Sequence, residues 1–233
     1  MGKKGKIRLV GAPPGSGKSA VKAVLAEQLG ATWLVLEHEQ VFTPEQRVKT
    51  AEMGGVELNS KEFVFGANLP GQMAFQALLR SIADTGINVV GMGPFENVFS
   101  EVGGMPLWRK MKTEDFGSYD LNLVYFLVTP HFDSIWMLDS DDQTGVILYD
   151  GLNNPALTDV VEEEIQRRLR SRITKSPYQE KLDRDKLGVA DYYRRRVGSV
   201  LRSRGSFGLP IVYYPCQMSP LELAQELAQA VVR

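Results

Sequence analysis

Between Lys6 and Leu29 the sequence passes from an apolar run into a glycine-rich loop and then an amphipathic helix, a succession that few folds accommodate. Ile7, Arg8, Leu9 and Val10 read as a strand, and Gly11-Ala12-Pro13-Pro14-Gly15-Ser16-Gly17-Lys18-Ser19 as a loop. Ala20 to Leu29 follow as a helix, with Val21, Val24 and Leu25 on one face and Gly30 placed as its C-cap. Glycines in such a loop let successive backbone N–H groups turn inward around an anion, and the helix adds the positive end of its dipole. The spacing is that of G-x-x-x-x-G-K-[ST], except that Ala12 stands at the first glycine and Gly11 lies one residue earlier. The expectation is a nucleotide-phosphate site built from Pro14, Gly15, Ser16, Gly17, Lys18, Ser19 and Ala20. Lys18 is to hold the β- and γ-phosphates, and the Ser19 hydroxyl to sit on Mg²⁺.

The chain of 233 residues is long enough to bury a substantial core as a single domain spanning 1–233. Charged residues make up 24% and hydrophobic ones 43%, and no apolar run approaches bilayer length, which argues against a membrane protein. Lys3, Lys4 and Lys6 lead straight into the first strand with no signal-peptide core between them, so a cytoplasmic location is expected. One cysteine, Cys216, excludes an internal disulfide and a cysteine-built zinc site. The net charge of −1 is unevenly spread: Arg167 to Arg204 hold 13 Lys/Arg against 4 Asp/Glu, a local +9 that leaves −10 elsewhere. A segment of that kind is suited to meeting anions.

Thr32 to Leu36 is a near-continuous apolar run, expected as a buried parallel strand, and it ends in Glu37-His38-Glu39. Open α/β sheets place ligands at such strand ends, which makes Glu37 and Glu39 candidates for chemistry. His38 alternates with them, is expected to point away, and receives no role. Thr43-Pro44-Glu45-Gln46 has the form of a capping box opening a helix that stops at Gly54-Gly55. Residues 56–69 fit either a short helix or a strand. From Gly71, the residues Met73, Ala74, Ala77, Leu78 and Ile82 give a helical stripe ending near Gly86. Ile87 to Met92 is the next buried strand, completing a β-α-β unit and leading into Gly93-Pro94-Phe95-Glu96.

Gly103 to Gly117 reads as loop and Leu121 to Val128 as a strand, while about 131–150 reads as an inserted hairpin. The turn of that hairpin carries Asp139, Asp141 and Asp142, better suited to solvation than to a metal. A helix from Asp159 to Arg172 crowds Arg167, Arg168, Arg170 and Arg172 at its end, and opens a basic lid segment over about 165–205. Ile211 to Tyr214 is a final strand. Ser219-Pro220-Leu221-Glu222 is a second capping box, opening a helix whose Leu223, Leu227 and Val231 face inward.

Strands alternating with helices after a phosphate loop give a three-layer α/β/α P-loop NTPase fold with a mostly parallel sheet and an arginine-rich lid. Phosphoryl transfer needs a base, a Mg²⁺ ion and cations facing the transferring group. Glu37 is the first candidate for the base and Glu39 the second. Arg168 and Arg172, one helical turn apart, are the candidate cations, with Arg167 and Arg170 in their place if the helix is rotated. Glu96 either orients Mg²⁺ through water or pairs with an arginine. Val89 to Met92 runs into Gly93-Pro94 rather than into an aspartate, which argues against a helicase, transporter or GTPase and for a kinase.

With Gly15-Ser16-Gly17-Lys18-Ser19, Glu37 after the second strand, Phe75-Gln76-Ala77-Leu78-Leu79-Arg80 and the arginines of 167–172, the chain resembles the P-loop kinase superfamily. Within it the arrangement is similar to deoxynucleoside kinases and to small-molecule phosphotransferases related to zeta toxins and chloramphenicol phosphotransferase. The resemblance implies ATP with Mg²⁺ as cofactors, Glu37 as base, Gln76 or Gln72 reading the acceptor, and Arg168 with Arg172 closing on the phosphates. The implied reaction is transfer of the γ-phosphate of ATP to a hydroxyl of a nucleoside-like or other small molecule. The basic segment with Tyr178, Tyr192 and Tyr193 motivates a nucleic-acid acceptor, a DNA end or a hydroxymethylated base, as the alternative. A nucleotide-binding regulatory switch is the third reading.

Overall fold

The computed structural model describes residues 3–12, 16–43, 45–46, 49, 53, 68–93, 95, 101–102, 105–106, 110–129, 163, 167, 211–215 and 219–232. The elements are β1 (Ile7–Gly11), α1 (Lys18–Leu29), β2 (Trp33–Glu37), α2 (His38–Val41), α3 (Asn68–Asp84) and β3 (Asn88–Gly93). There follow two short strands, β4 (Glu101–Val102) and β5 (Met105–Pro106), a π-helical turn at Met111–Asp115, β6 (Leu121–Thr129), β7 (Ile211–Pro215) and α4 (Pro220–Val232).

Five strands form one sheet in the order β2-β3-β1-β6-β7, and every pairing in it is parallel. All five residues of β1 are buried, as its central position requires. Its register sets Leu9 beside Gly91 and Leu123, and Arg8 beside Val90 and Asn122. Side chains alternate along each strand, so paired residues divide between two faces. Gly91 lies against Leu79 and Phe75 of α3, which assigns that face to α3. Arg8, one position out of phase, reaches Val231 of α4, and α4 packs along α1 on the opposite face. The result is three layers, with α1 and α4 below the sheet and α3, accompanied by α2, above it.

Arg8 fastens the end of the sheet remote from the loop. Its Nε donates to the Val231 carbonyl at 3.0 Å, and Nη1 donates to the carbonyls of Ile7 (3.1 Å) and Asp120 (2.8 Å). Two further bonds from the guanidinium reach the Asp120 carboxylate at 3.1 and 3.3 Å. An arginine only 2% exposed is tolerable because its donors are met, and the Asp120 carboxyl is held below the usual range chiefly by these bonds.

Both capping boxes form. The Thr43 amide donates to Gln46 Oε1 at 2.7 Å and the Gln46 amide to Thr43 Oγ1 at 3.3 Å; Ser219 and Glu222 exchange the same pair at 2.8 and 3.3 Å. Gly30 closes α1 with φ 69°, its N–H returning to Ala26 and Glu27, and Leu223, Leu227 and Val231 are buried as expected.

Three expectations are corrected. The buried stripe of α3 is Gln72, Phe75, Leu79 and Ala83, whereas Met73, Ala74 and Ala77 are exposed; a polar Gln72 on the inner face and an apolar Met73 on the outer one shift the apparent phase. β2 is an edge strand of the described sheet, with Leu34 41% exposed, rather than a strand covered on both sides. Within the stretch read as loop from Gly103 to Gly117, β5 pairs antiparallel with β4, and the π-helical turn is bound to α3 by Arg80. That guanidinium donates to the Asp115 carbonyl at 3.1 Å and lies 5.1 Å from the centre of the Phe116 ring. The 131–150 hairpin and most of the 165–205 lid lie outside the described residues.

Candidate nucleotide and acceptor site

The candidate site lies where β1, β2 and β3 end. Ala12, at the place of the first motif glycine, is fully buried and its N–H donates to the Gly93 carbonyl at 3.4 Å, so the loop leaves the sheet still paired with β3. The small residue is required one position earlier: a Cβ on Gly11 would stand 2.5 Å from Cδ2 of Tyr125. Gly17 supplies the left-handed turn, φ 90°, that starts α1, and its carbonyl accepts from the N–H groups of Ala20 and Val21 at 3.0 and 3.1 Å. Lys18 donates from Nζ to the Ala12 carbonyl at 2.8 Å, laying its side chain across the loop. Ser16 is buried within that loop, and Ser19 and Ala20 are exposed on the first turn of α1. Pro14 and Gly15 lie outside the described residues.

Strand parity settles where Glu37 faces. Glu37 pairs with Met92, which lies on the same side of β3 as Val90 and therefore on the α1 face. Glu37 is buried, and its Oε1 accepts from the Ser19 hydroxyl at 2.6 Å, a short charge-assisted bond. Three residues further along each element, Lys22 of α1 donates to Gln40 of α2. Two rungs thus tie the P-loop helix to the corner where β2 becomes α2.

His38 points away from Glu37, as alternation predicts, to the α3 face of the sheet. The His38 ring is buried there, 5.4 Å from Phe75 and 6.1 Å from Phe42 between centres, and the chain turns into α2 directly after Glu37. Phe95 completes this aromatic wall, stacked on Phe75 at 6.3 Å and 21°. Its φ of 37° is the one left-handed non-glycine among the described residues, and it falls directly beyond β3, where such strain is characteristic of ligand-facing loops. Sequence reading gave His38 no role and set Phe95 in a loop at the strand end without singling out its ring. Glu39, on α2, is partly exposed beside this corner.

The two glutamines separate. Gln72 is buried at the start of α3, next to Gly71, which lies against the Phe42 ring, and no described residue bonds its amide. Gln76, one turn on, gives its Nε2 to the Met111 sulfur at 3.7 Å. Arg167 is helical and exposed, whereas Arg168, Arg172 and Glu96 lie outside the described residues. No group of three His, Cys, Asp or Glu gathers as a metal cluster among the described residues. The Ser19 hydroxyl and Glu37 carboxylate are hard oxygen donors, which suit Mg²⁺; that ion keeps several waters and takes few protein ligands beside phosphates. Among the described residues no helix is long and apolar enough to cross a membrane.

A parallel sheet with β1 at its centre, leading through a Gly-Lys-Ser loop into α1, defines a three-layer α/β P-loop fold. No protein-family model matches the sequence, and no curated protein matches it. Solved structures with a similar backbone include a gluconokinase from Sinorhizobium meliloti 1021, 15% identical, with 100% of this chain and 94% of that one covered at a TM-score of 0.49. A shikimate kinase from Acinetobacter baumannii is 17% identical, with 98% and 93% covered at 0.39. A deoxyadenosine kinase from M. mycoides is 14% identical, with 97% and 98% covered at 0.39. All three are described as kinases.

Proposed function

We propose that the protein is an ATP- and Mg²⁺-dependent kinase that phosphorylates a hydroxyl of a small molecule, nucleoside-like in the first instance. The observation that carries this reading is the Ser19–Glu37 contact of 2.6 Å: it sets a carboxylate beside the P-loop serine, within the first turn after Lys18. Lys18 neutralises charge on the β- and γ-phosphates after leaving the Ala12 carbonyl. Ser19 would hold Mg²⁺ on the protein side, and the ion would supply screening of the phosphate charge. Glu37 takes the acceptor's proton as the new O–P bond forms and the bond to the ADP oxygen breaks; Glu39 is the second candidate for that role. Gln72 is the better placed of the two glutamines to contact the acceptor, because the amide of Gln76 is engaged with Met111. Arg168 and Arg172 are proposed to close on the phosphates, and Glu96 to contact Mg²⁺ water or an arginine. A cytoplasmic enzyme is consistent with this chemistry.

The test is transfer of label from γ-labelled ATP to separate pools of nucleosides, sugars with hydroxyl-bearing antibiotics, and DNA, with Lys18→Ala as the blank. Label in a small-molecule pool supports the proposal. Label in DNA, with binding that falls steeply as salt rises, would favour the nucleic-acid reading that the +9 charge of 167–204 motivates. Label only in free phosphate would favour the switch.

A further inference from the structure

Within the kinase reading, which this inference rests on, we infer that Glu37 is a positioning residue for Ser19 as well as the acceptor's base. A serine hydroxyl has one proton and two lone pairs. Here the proton is directed at Glu37 Oε1, so the lone pairs are turned away from the carboxylate. A hydroxyl held in that way can offer a lone pair to a cation without surrendering its hydrogen bond. Glu37 then serves two neighbours with two oxygens: Oε1 fixes the rotamer of the cation ligand, and Oε2 remains for the acceptor.

Two further observations point the same way. The strand where an orienting carboxylate would otherwise be sought, β3, ends in Gly91-Met92-Gly93 and has no acid among its six residues. The Ser19–Glu37 rung also has a companion, Lys22 to Gln40, which holds α1 and the β2–α2 corner in register, so the pairing belongs to how the elements dock. Outer partners of this kind commonly govern metal affinity by about 10–100-fold.

The experiment measures Mn²⁺ binding to the ADP-loaded full chain by electron paramagnetic resonance, alongside ADP affinity without metal by calorimetry. In Glu37→Ala, Mn²⁺ affinity falls about 10–100-fold while metal-free ADP affinity barely moves. In Glu37→Gln, whose amide oxygen still accepts from Ser19, Mn²⁺ affinity is kept and phosphoryl transfer is lost. Glu37→Asp, one methylene too short to reach Ser19, carries the same expectation as the alanine variant should that one fail to fold. Glu39→Gln keeps the wild-type Mn²⁺ affinity. Unchanged Mn²⁺ binding in Glu37→Ala or Glu37→Asp, or equal losses in the glutamine and alanine variants, would overturn the inference while leaving the kinase reading intact. If no acceptor is ever phosphorylated but the Mn²⁺ pattern appears, the kinase reading fails and the positioning role of Glu37 stands. Failure to bind ADP at all overturns both.

Discussion

The two ends of β1 use buried polarity in opposite ways. At its entry, Arg8 is surrounded by acceptors that are mostly backbone carbonyls, from Ile7, Asp120 and Val231. Those partners cannot leave without unfolding a strand or a helix end, so the contact is permanent. Beyond its exit, Lys18 and Ser19 are also paired, but with a loop carbonyl and a side-chain carboxylate that a bound nucleotide can replace or share. Satisfied donors therefore mean stability at one end and readiness for a ligand at the other, and the difference lies in whether the acceptor is free to be exchanged.

Substitutions at the two ends should separate accordingly. Lys18→Ala is expected to lower transfer by about 10²–10³-fold or more, in line with loss of a charge-stabilising donor, with the unfolding midpoint preserved. Kinetics beside a urea melt checks this, and an active Lys18→Ala enzyme would sink the phosphate-loop assignment. Arg8→Met should do the reverse, costing about 3 kcal/mol of stability because several buried carbonyls lose a charged donor, while nucleotide affinity is kept. Equal losses of affinity and stability would erase the distinction between the ends. Ser219→Ala removes the cap that starts α4 and should cost about 1 kcal/mol by the same melt. The smallest effect concerns acid. Asp120 is held below the usual carboxylate range by the Arg8 bonds, so its contribution is present above about pH 4 and is lost as pH falls through the folded value. Because that side chain is largely exposed, the stability gap between wild type and Asp120→Asn should be modest and should close on acidification; a gap independent of pH would show that Arg8 acts on Asp120 through its carbonyl alone.

Sequence reasoning did best where the cause is local. The capping boxes at Thr43 and Ser219 depend on residues three apart, and the turn at Gly17 on a single φ, so the residue types announce them. The exit of β2 was half readable: Glu37 was placed at the strand end, but its choice over Glu39 as the partner of Ser19 depends on the strand stopping at Glu37, which leaves Glu39 on α2. The face of α3 was misread because one polar residue, Gln72, lies inside and one apolar residue, Met73, lies outside. Strand order is the least local property of all, since β1 meets partners about 80 and 114 residues further along, and no window of sequence contains both.

That separation has a bearing on how the chain is made. During synthesis the phosphate loop emerges well before β6, which closes one side of β1, and α4, which covers α1. Arg8 waits for a carbonyl at Val231. A nascent chain arrested before β6 would carry the whole Gly-Lys-Ser sequence on a strand without its far neighbour, and one arrested before α4 would carry it on a helix without its cover, so the loop gains its supports in two later steps.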